Sequence, residues 1–166
     1  MSVEANVALL RDLHERRKRN ALDIDERAEY EQLRDAFAQA FVKANRVSVR
    51  PGQTCRQAVR ASCAIQLELT VRERIHKTIT LDLSTHGFAA LVGAALEVGT
   101  SCTFALRVRS EMVRGQGKVV ACARYGSGNS SFRVSIAFEP LSPPDLERVE
   151  LVVFDAALAS LARTNE

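Results

Sequence analysis

Two periods of hydrophobic spacing divide the chain, and they meet near residue 50. Up to there the apolar positions recur every three or four residues. Leu9, Leu10 and Leu13 make a short stripe, and Tyr30, Leu33, Phe37 and Phe41 a longer one. Each is one face of an α-helix. Asn20 interrupts the pattern, and Asp23 and Asp25 are both suitable N-caps for the second helix. Residues 1–46 therefore predict two helices joined by a short turn. A pair this small buries little area by itself. Its stripe must dock on the rest of the chain, on a second copy or on another protein.

Residues 47–54 contain Pro51-Gly52 and predict a linker. A period of two then takes over. Cys63, Ile65, Leu67, Leu69 and Val71 alternate with Ala64, Gln66, Glu68 and Thr70, and Ile79, Leu81 and Leu83 continue the alternation after a polar turn. Phe88 to Val92 is a short apolar run, and Cys102, Phe104, Leu106 and Val108 alternate again. Lys118 to Tyr125 and Ser131 to Phe138 flank the turn Gly126-Ser127-Gly128-Asn129. Some six short strands without helix-length gaps predict a mainly β fold, a small antiparallel barrel or sandwich. Beyond Pro140, Ser142-Pro143-Pro144-Asp145 opens a C-terminal helix, with Leu146, Val149, Val152, Val153 and Leu161 as its buried face. Residues 55–166 would thus be one β module with its helix.

Composition changes this picture little. With 46% hydrophobic and 26% charged residues the chain is ordinary for a folded domain. Trp is absent, so the core rests on Leu, Val, Ile and Ala. The net charge is +3, and residues 1–46 carry nine basic and nine acidic side chains, so the excess lies downstream. Much of it is arginine, which suits planar, bidentate recognition of phosphate or base edges. No apolar run approaches the roughly 20 residues that span a bilayer, and no signal-peptide pattern is seen, so a cytoplasmic protein without a membrane span is expected. Cys55, Cys63, Cys102 and Cys122 show no Cys-x-x-Cys spacing and no histidine at ligand distance. They are expected to be reduced, the last three as buried small hydrophobes in strands, and no metal is expected. With no nucleophile–base pair and no Gly-rich phosphate loop, the chain is expected not to be an enzyme. The basic run Arg16 to Arg19 reads as a solvated helix face beside Asp12 and Glu15, with an acidic partner as the other reading.

Two features carry chemistry. Arg56-Gln57-Ala58-Val59-Arg60 lies between linker and first strand. Guanidiniums four residues apart there can fork onto phosphate oxygens or the O6 and N7 edge of guanine. Asp82-Leu83-Ser84-Thr85-His86-Gly87 lies where the second strand turns into the third. Asp and Ser cap turns, and Gly permits a close backbone approach. Each feature alone has a bland reading, as solvated arginines or as a plain turn.

In this order, and in this β setting, the two motifs resemble those of the PilZ domain family. The resemblance spans roughly residues 50–160, including the strand at Gly117-Lys118-Val119-Val120 and the one from Phe132 to Phe138 before Pro140. It implies a six-stranded antiparallel barrel with a C-terminal helix, and a receptor for cyclic di-GMP, a bacterial second messenger. It implies further that Arg56 and Arg60 wrap the phosphates and guanines, and that Asp82 accepts hydrogen bonds from a guanine N–H edge. Ser84 would bond the ligand or brace the loop, and Gly87 would let the backbone come close. Gln57 and His86 are additional candidates, His86 being expected exposed. No cofactor beyond the ligand is implied. The expected partners are the nucleotide and, through the N-terminal helices, a protein or a second copy; binding would reorient those helices. Two rival readings stand beside this one. The first is a PilZ-like adaptor that binds protein and no nucleotide. The second is a small barrel for nucleic acid, against which the core-like phenylalanines and the modest charge argue.

Overall fold

The computed structural model of the chain describes residues 3–47, 58–127 and 130–164. Residues 48–54 of the linker expected over 47–54, Cys55, Arg56, Gln57 and the turn residues Gly128 and Asn129 lie outside them. The chain divides into two compact units, one holding the first 59 residues with 158–166, the other Arg60–Ala157.

The first unit contains helices α1 (Val3–Lys18) and α2 (Ile24–Val47). Of the two candidate caps Asp23 is the one used. Its Oδ1 accepts from the Glu26 backbone N–H at 2.8 Å, and Glu26 Oε2 accepts from the Asp23 N–H at 3.1 Å. This reciprocal capping box satisfies two donors that the first turn would leave unpaired. Leu10, Leu13, Tyr30 and Leu158 form the core of this unit, with Leu9, Leu22, Leu33 and Phe37 packed around it. His14 is buried in the same layer, its Nδ1 3.0 Å from the Tyr30 hydroxyl. The basic run ends α1, where cations suit the helix dipole. Arg16 pairs with Glu26 at 2.5 Å and Lys18 with Glu15.

The second unit holds seven strands: β1 (Arg60–Ser62), β2 (Gln66–Val71), β3 (Arg74–Ser84), β4 (Gly87–Val92), β5 (Ser101–Val108), β6 (Glu111–Arg124) and β7 (Phe132–Phe138). The pairing order is β1-β3-β2-β5-β6-β7-β4, and β4 pairs back onto β3. Six strands thus close an antiparallel barrel, as expected. The additional β1 follows β2's line along the same side of β3: Gln66 faces Ile79, and Ser62 faces Asp82.

The alternation from Cys63 to Val71 predicts one unbroken strand, but Cys63, Ala64 and Ile65 leave the ladder. Thr80 of β3 spans the gap. Its hydroxyl donates to the Cys63 carbonyl at 2.6 Å and accepts from the Ile65 N–H at 3.0 Å, while its own N–H donates to the Ile65 carbonyl at 2.9 Å. A second departure lies beside it. The pattern puts Ile79, Leu81 and Leu83 on one face, yet Ile79 is 50% exposed and Leu83 fully buried. A bulge between Thr80 and Asp82 shifts the register against β4 and turns the strand over. A third departure is β6, which starts at Glu111 rather than Lys118. Its inward positions there include Gly115 and Gly117, which give no hydrophobic signal. A Cβ on Gly115 would lie 2.6 Å from the Phe104 ring. The empty position makes room for the aromatic core of Phe88, Phe104 and Phe138, whose centroids lie 4.9–5.8 Å apart.

Helix α3 (Pro143–Thr164) starts with Ser142 Oγ accepting from the Asp145 N–H at 3.3 Å. Its buried stripe in this unit is Val149, Val153, Phe154 and Ala157. Leu146, expected in that stripe, is 40% exposed, because burial begins one turn later. Arg148 ties the helix to Glu111 of β6. Among the described residues no helix is long and apolar enough to cross a membrane.

Thr80 has a testable energetic role. Thr80→Val keeps the shape but strands the Cys63 carbonyl and Ile65 N–H. It is expected to lower stability by about 2 kcal/mol, read as a reduced midpoint in urea unfolding; an unchanged midpoint would show that the gap holds without the hydroxyl.

Candidate functional site

The site grows out of the bulge in β3. Before it, Thr80 points into the barrel; after it, Leu83 does. Asp82, between them, is thereby turned to the barrel exterior. It faces Ser62 of β1 on one side and Ala89 of β4 on the other.

Two arginines meet its carboxylate. Arg60 Nη1 donates to Oδ1 at 2.8 Å, and Arg133 Nη2 donates to Oδ2 at 2.7 Å. Their strands deliver them from opposite ends. Arg60 lies level with Ser84, two residues from Ser62. Arg133, on β7, lies level with Leu91, two residues from Ser135, which faces Ala89. Arg133 therefore reaches across β4 to find Asp82. Since Phe88 is part of the aromatic core, Ala89 faces outward, and it is nonetheless fully covered. Its methyl is small enough to let a guanidinium pass. The side chain of Asp82 is 12% exposed, that of Arg60 23% and that of Arg133 40%, so the group is sheltered but open on the arginine side. Each guanidinium commits one terminal nitrogen to Asp82 and carries further N–H donors suited to an anion.

The other expected residues serve the loop. Ser84 is buried; its Oγ donates to the Gly87 carbonyl and accepts from the His86 N–H, both at 3.2 Å. That is the bracing role. Gly87 packs against β7, where a Cβ would fall 2.0 Å from the Ile136 carbonyl oxygen. The bareness of this residue is already required by the barrel. His86 is exposed, with Nδ1 3.1 Å from Thr85 Oγ1, and its carbonyl accepts from the Phe138 N–H at 2.8 Å. Arg56 and Gln57 lie outside the described residues. The structure thus joins Arg60 to Asp82 and adds Arg133, which the motifs do not include. The alternation of β7 marks Arg133 as outward. Only the β4–β7 pairing puts it beside Asp82.

Two of the cysteines are held as thiols. Burial pushes the Cys63 and Cys102 thiols up to about 11, so both are protonated at neutral pH. Cys63 lies in the β1–β2 gap rather than in a strand, correcting its expected place. Among the described residues no three His, Cys, Asp or Glu side chains gather as a metal site.

Comparison with known proteins gives three findings. The PilZ domain family model matches residues 55–155. No curated protein matches the chain. Among solved structures, the PilZ domain of Escherichia coli YcgR with c-di-GMP has a TM-score of 0.55 at 15% identity, covering 68% of this chain and 99% of that one. The Bacillus subtilis inhibitor of motility MotI/DgrA has a TM-score of 0.55 at 14% identity, covering 66% and 53%, so this chain spans about half of its length. MrkH of K. pneumonia has a TM-score of 0.55 at 14% identity, covering 69% and 54%. At these identities the likeness is one of fold.

The packing at Gly87 predicts that Gly87→Ala destabilises the barrel by about 3 kcal/mol, the range of a forced overpacking. Thermal unfolding reads this directly, and an unaltered melting temperature would show that β4 and β7 can separate without cost.

Proposed function

The chain belongs to the PilZ domain family, and from that premise we propose that it is a receptor for cyclic di-GMP, bound between the Arg56–Arg60 segment and the Asp82–Gly87 loop. The observation that supports this most is the exterior carboxylate of Asp82 set between two guanidiniums. The nucleotide offers two chemistries, anionic phosphates and guanine edges. Guanidiniums fork to the first, and also to O6 and N7 of the second. A carboxylate, acceptor only, suits the N–H groups of the base. In this reading Arg60 bonds phosphate or guanine with the donors not engaged by Asp82, and Arg56 does so from four residues earlier. Asp82 takes the guanine N–H edge, and Ser84 and Gly87 keep the hairpin in shape. His86, exposed at the turn, is available to the ligand's rim.

The chain joins this site to the helices directly, since Arg60 follows the segment that begins where α2 ends at Val47. A ligand held by that segment would bias how α1 and α2 are presented to a protein partner or a second copy. A ligand shifts such an equilibrium only by its differential affinity for the two states.

Isothermal titration is expected to give saturable heat with cyclic di-GMP. Arg60→Ala is expected to weaken binding by about 1.5–3 kcal/mol, or roughly 10- to 150-fold. Absence of saturable binding would leave the adaptor reading in its place. Hydrogen exchange with and without the nucleotide is expected to change protection in α1 and α2; equal protection would remove the proposed signal to the helices while leaving the binding intact.

A further inference from the structure

Arg133 belongs to no part of the two motifs, yet it occupies half of the Asp82 carboxylate. Oδ2 accepts from Arg133 and Oδ1 from Arg60. A carboxylate oxygen has about two acceptor directions. One on each oxygen is spent on a guanidinium, and a carboxylate can offer a second on each. With the guanidiniums on the two outer sides, the inner pair would be parallel acceptors a carboxylate's width apart. The Watson–Crick edge of guanine carries the matching pair, N1–H beside N2–H. Adenine carries a donor beside an acceptor, and would set its ring nitrogen against an oxygen lone pair.

This match holds only while the carboxylate keeps its orientation. The terminal torsion of an aspartate is broad and roughly two-fold, so it does not fix itself. Here it is gripped from both ends of the strand, by Arg60 from the level of Ser84 and by Arg133 from the level of Leu91. The small, covered side chain of Ala89 on the outward face of β4 is what gives the second grip its path.

Resting on the nucleotide reading above, we propose that Arg133 is a positioning residue of the site, which pins Asp82 so that both oxygens face a guanine edge, and so sets the preference for guanine over adenine. It acts through Asp82 and not by contact with the ligand.

The test is titration of the full chain with cyclic di-GMP and cyclic di-AMP, using the wild type, Arg133→Met, Arg133→Lys, Asp82→Asn and the Asp82→Asn/Arg133→Met double variant. Methionine keeps an apolar stem over Ala89, and melting curves check that each variant is folded. Arg133→Met is expected to weaken cyclic di-GMP binding about tenfold, the size of one charge-assisted hydrogen bond, and to reduce the preference over cyclic di-AMP by a similar factor. Arg133→Lys restores most of it. In the Asp82→Asn background, Arg133→Met has no further effect, since the group it positions is gone. Equal loss for both nucleotides, or losses that add in the double variant, would mean direct contact with ligand phosphate and overturn the inference. So would tighter binding by Arg133→Met, which would make Arg133 a competitor. Wild-type binding with Arg133→Met unchanged defeats the inference alone, whereas no wild-type binding of cyclic di-GMP defeats the receptor reading and this inference with it.

Discussion

The register shift between Thr80 and Asp82 is one residue long, and the site hangs on it. Side chains alternate along a strand, so without the shift Asp82 would share the inward face of Thr80. An ionised carboxylate there would cost several kcal/mol unless paired. With the shift it comes to the exterior, where arginines from β1 and β7 reach it. Thr80, left facing inward, uses its hydroxyl to hold the gap between β1 and β2. The bulge on one side of β3 therefore begins at the same residue that spans the gap on the other.

The two ion pairs are better understood as geometry than as stability. Pairs that remain in reach of solvent contribute about 0–1 kcal/mol each, and Arg133 is 40% exposed. What they contribute is direction. A guanidinium is a planar fork, and two of them on one carboxylate leave it few ways to turn. The helical unit uses short-range versions of the same chemistry, in the capping box at Asp23 and the pairing of Arg16 with Glu26.

Much of this was legible in the sequence. The change of period separates helices from strands, the alternating runs give a small antiparallel barrel or sandwich and its core, and the resemblance to PilZ domains gives the six-stranded barrel. The motif order gives Asp82 and Arg60 as companions, and the two are hydrogen-bonded. What could not be read has physical reasons. A bulge changes parity without changing composition, so Ile79 looked as buried as Leu83. Gly115 and Gly117 fill inward positions with no side chain, so the start of β6 was silent. Ser84 and Gly87 carry constraints of the hairpin and of β7 that the motif does not separate from ligand contact. Arg133 needed the pairing of strands that a sequence does not display. The first arginine of the pair, Arg56, lies outside the described residues.

The three charged groups also place the site in the order of folding. Asp82 is 22 residues from Arg60 and 51 from Arg133 along the chain. Contacts of such separation form after local ones, because loop closure must precede them. Arg133 reaches Asp82 only across a β4 paired on both sides, the pairings that close the ring. A chain with its hairpins made but its barrel open would have the motifs and lack the gripped carboxylate. The gripped carboxylate thus depends on the closed ring, and a nascent or nicked barrel would carry the motifs without the geometry that joins them.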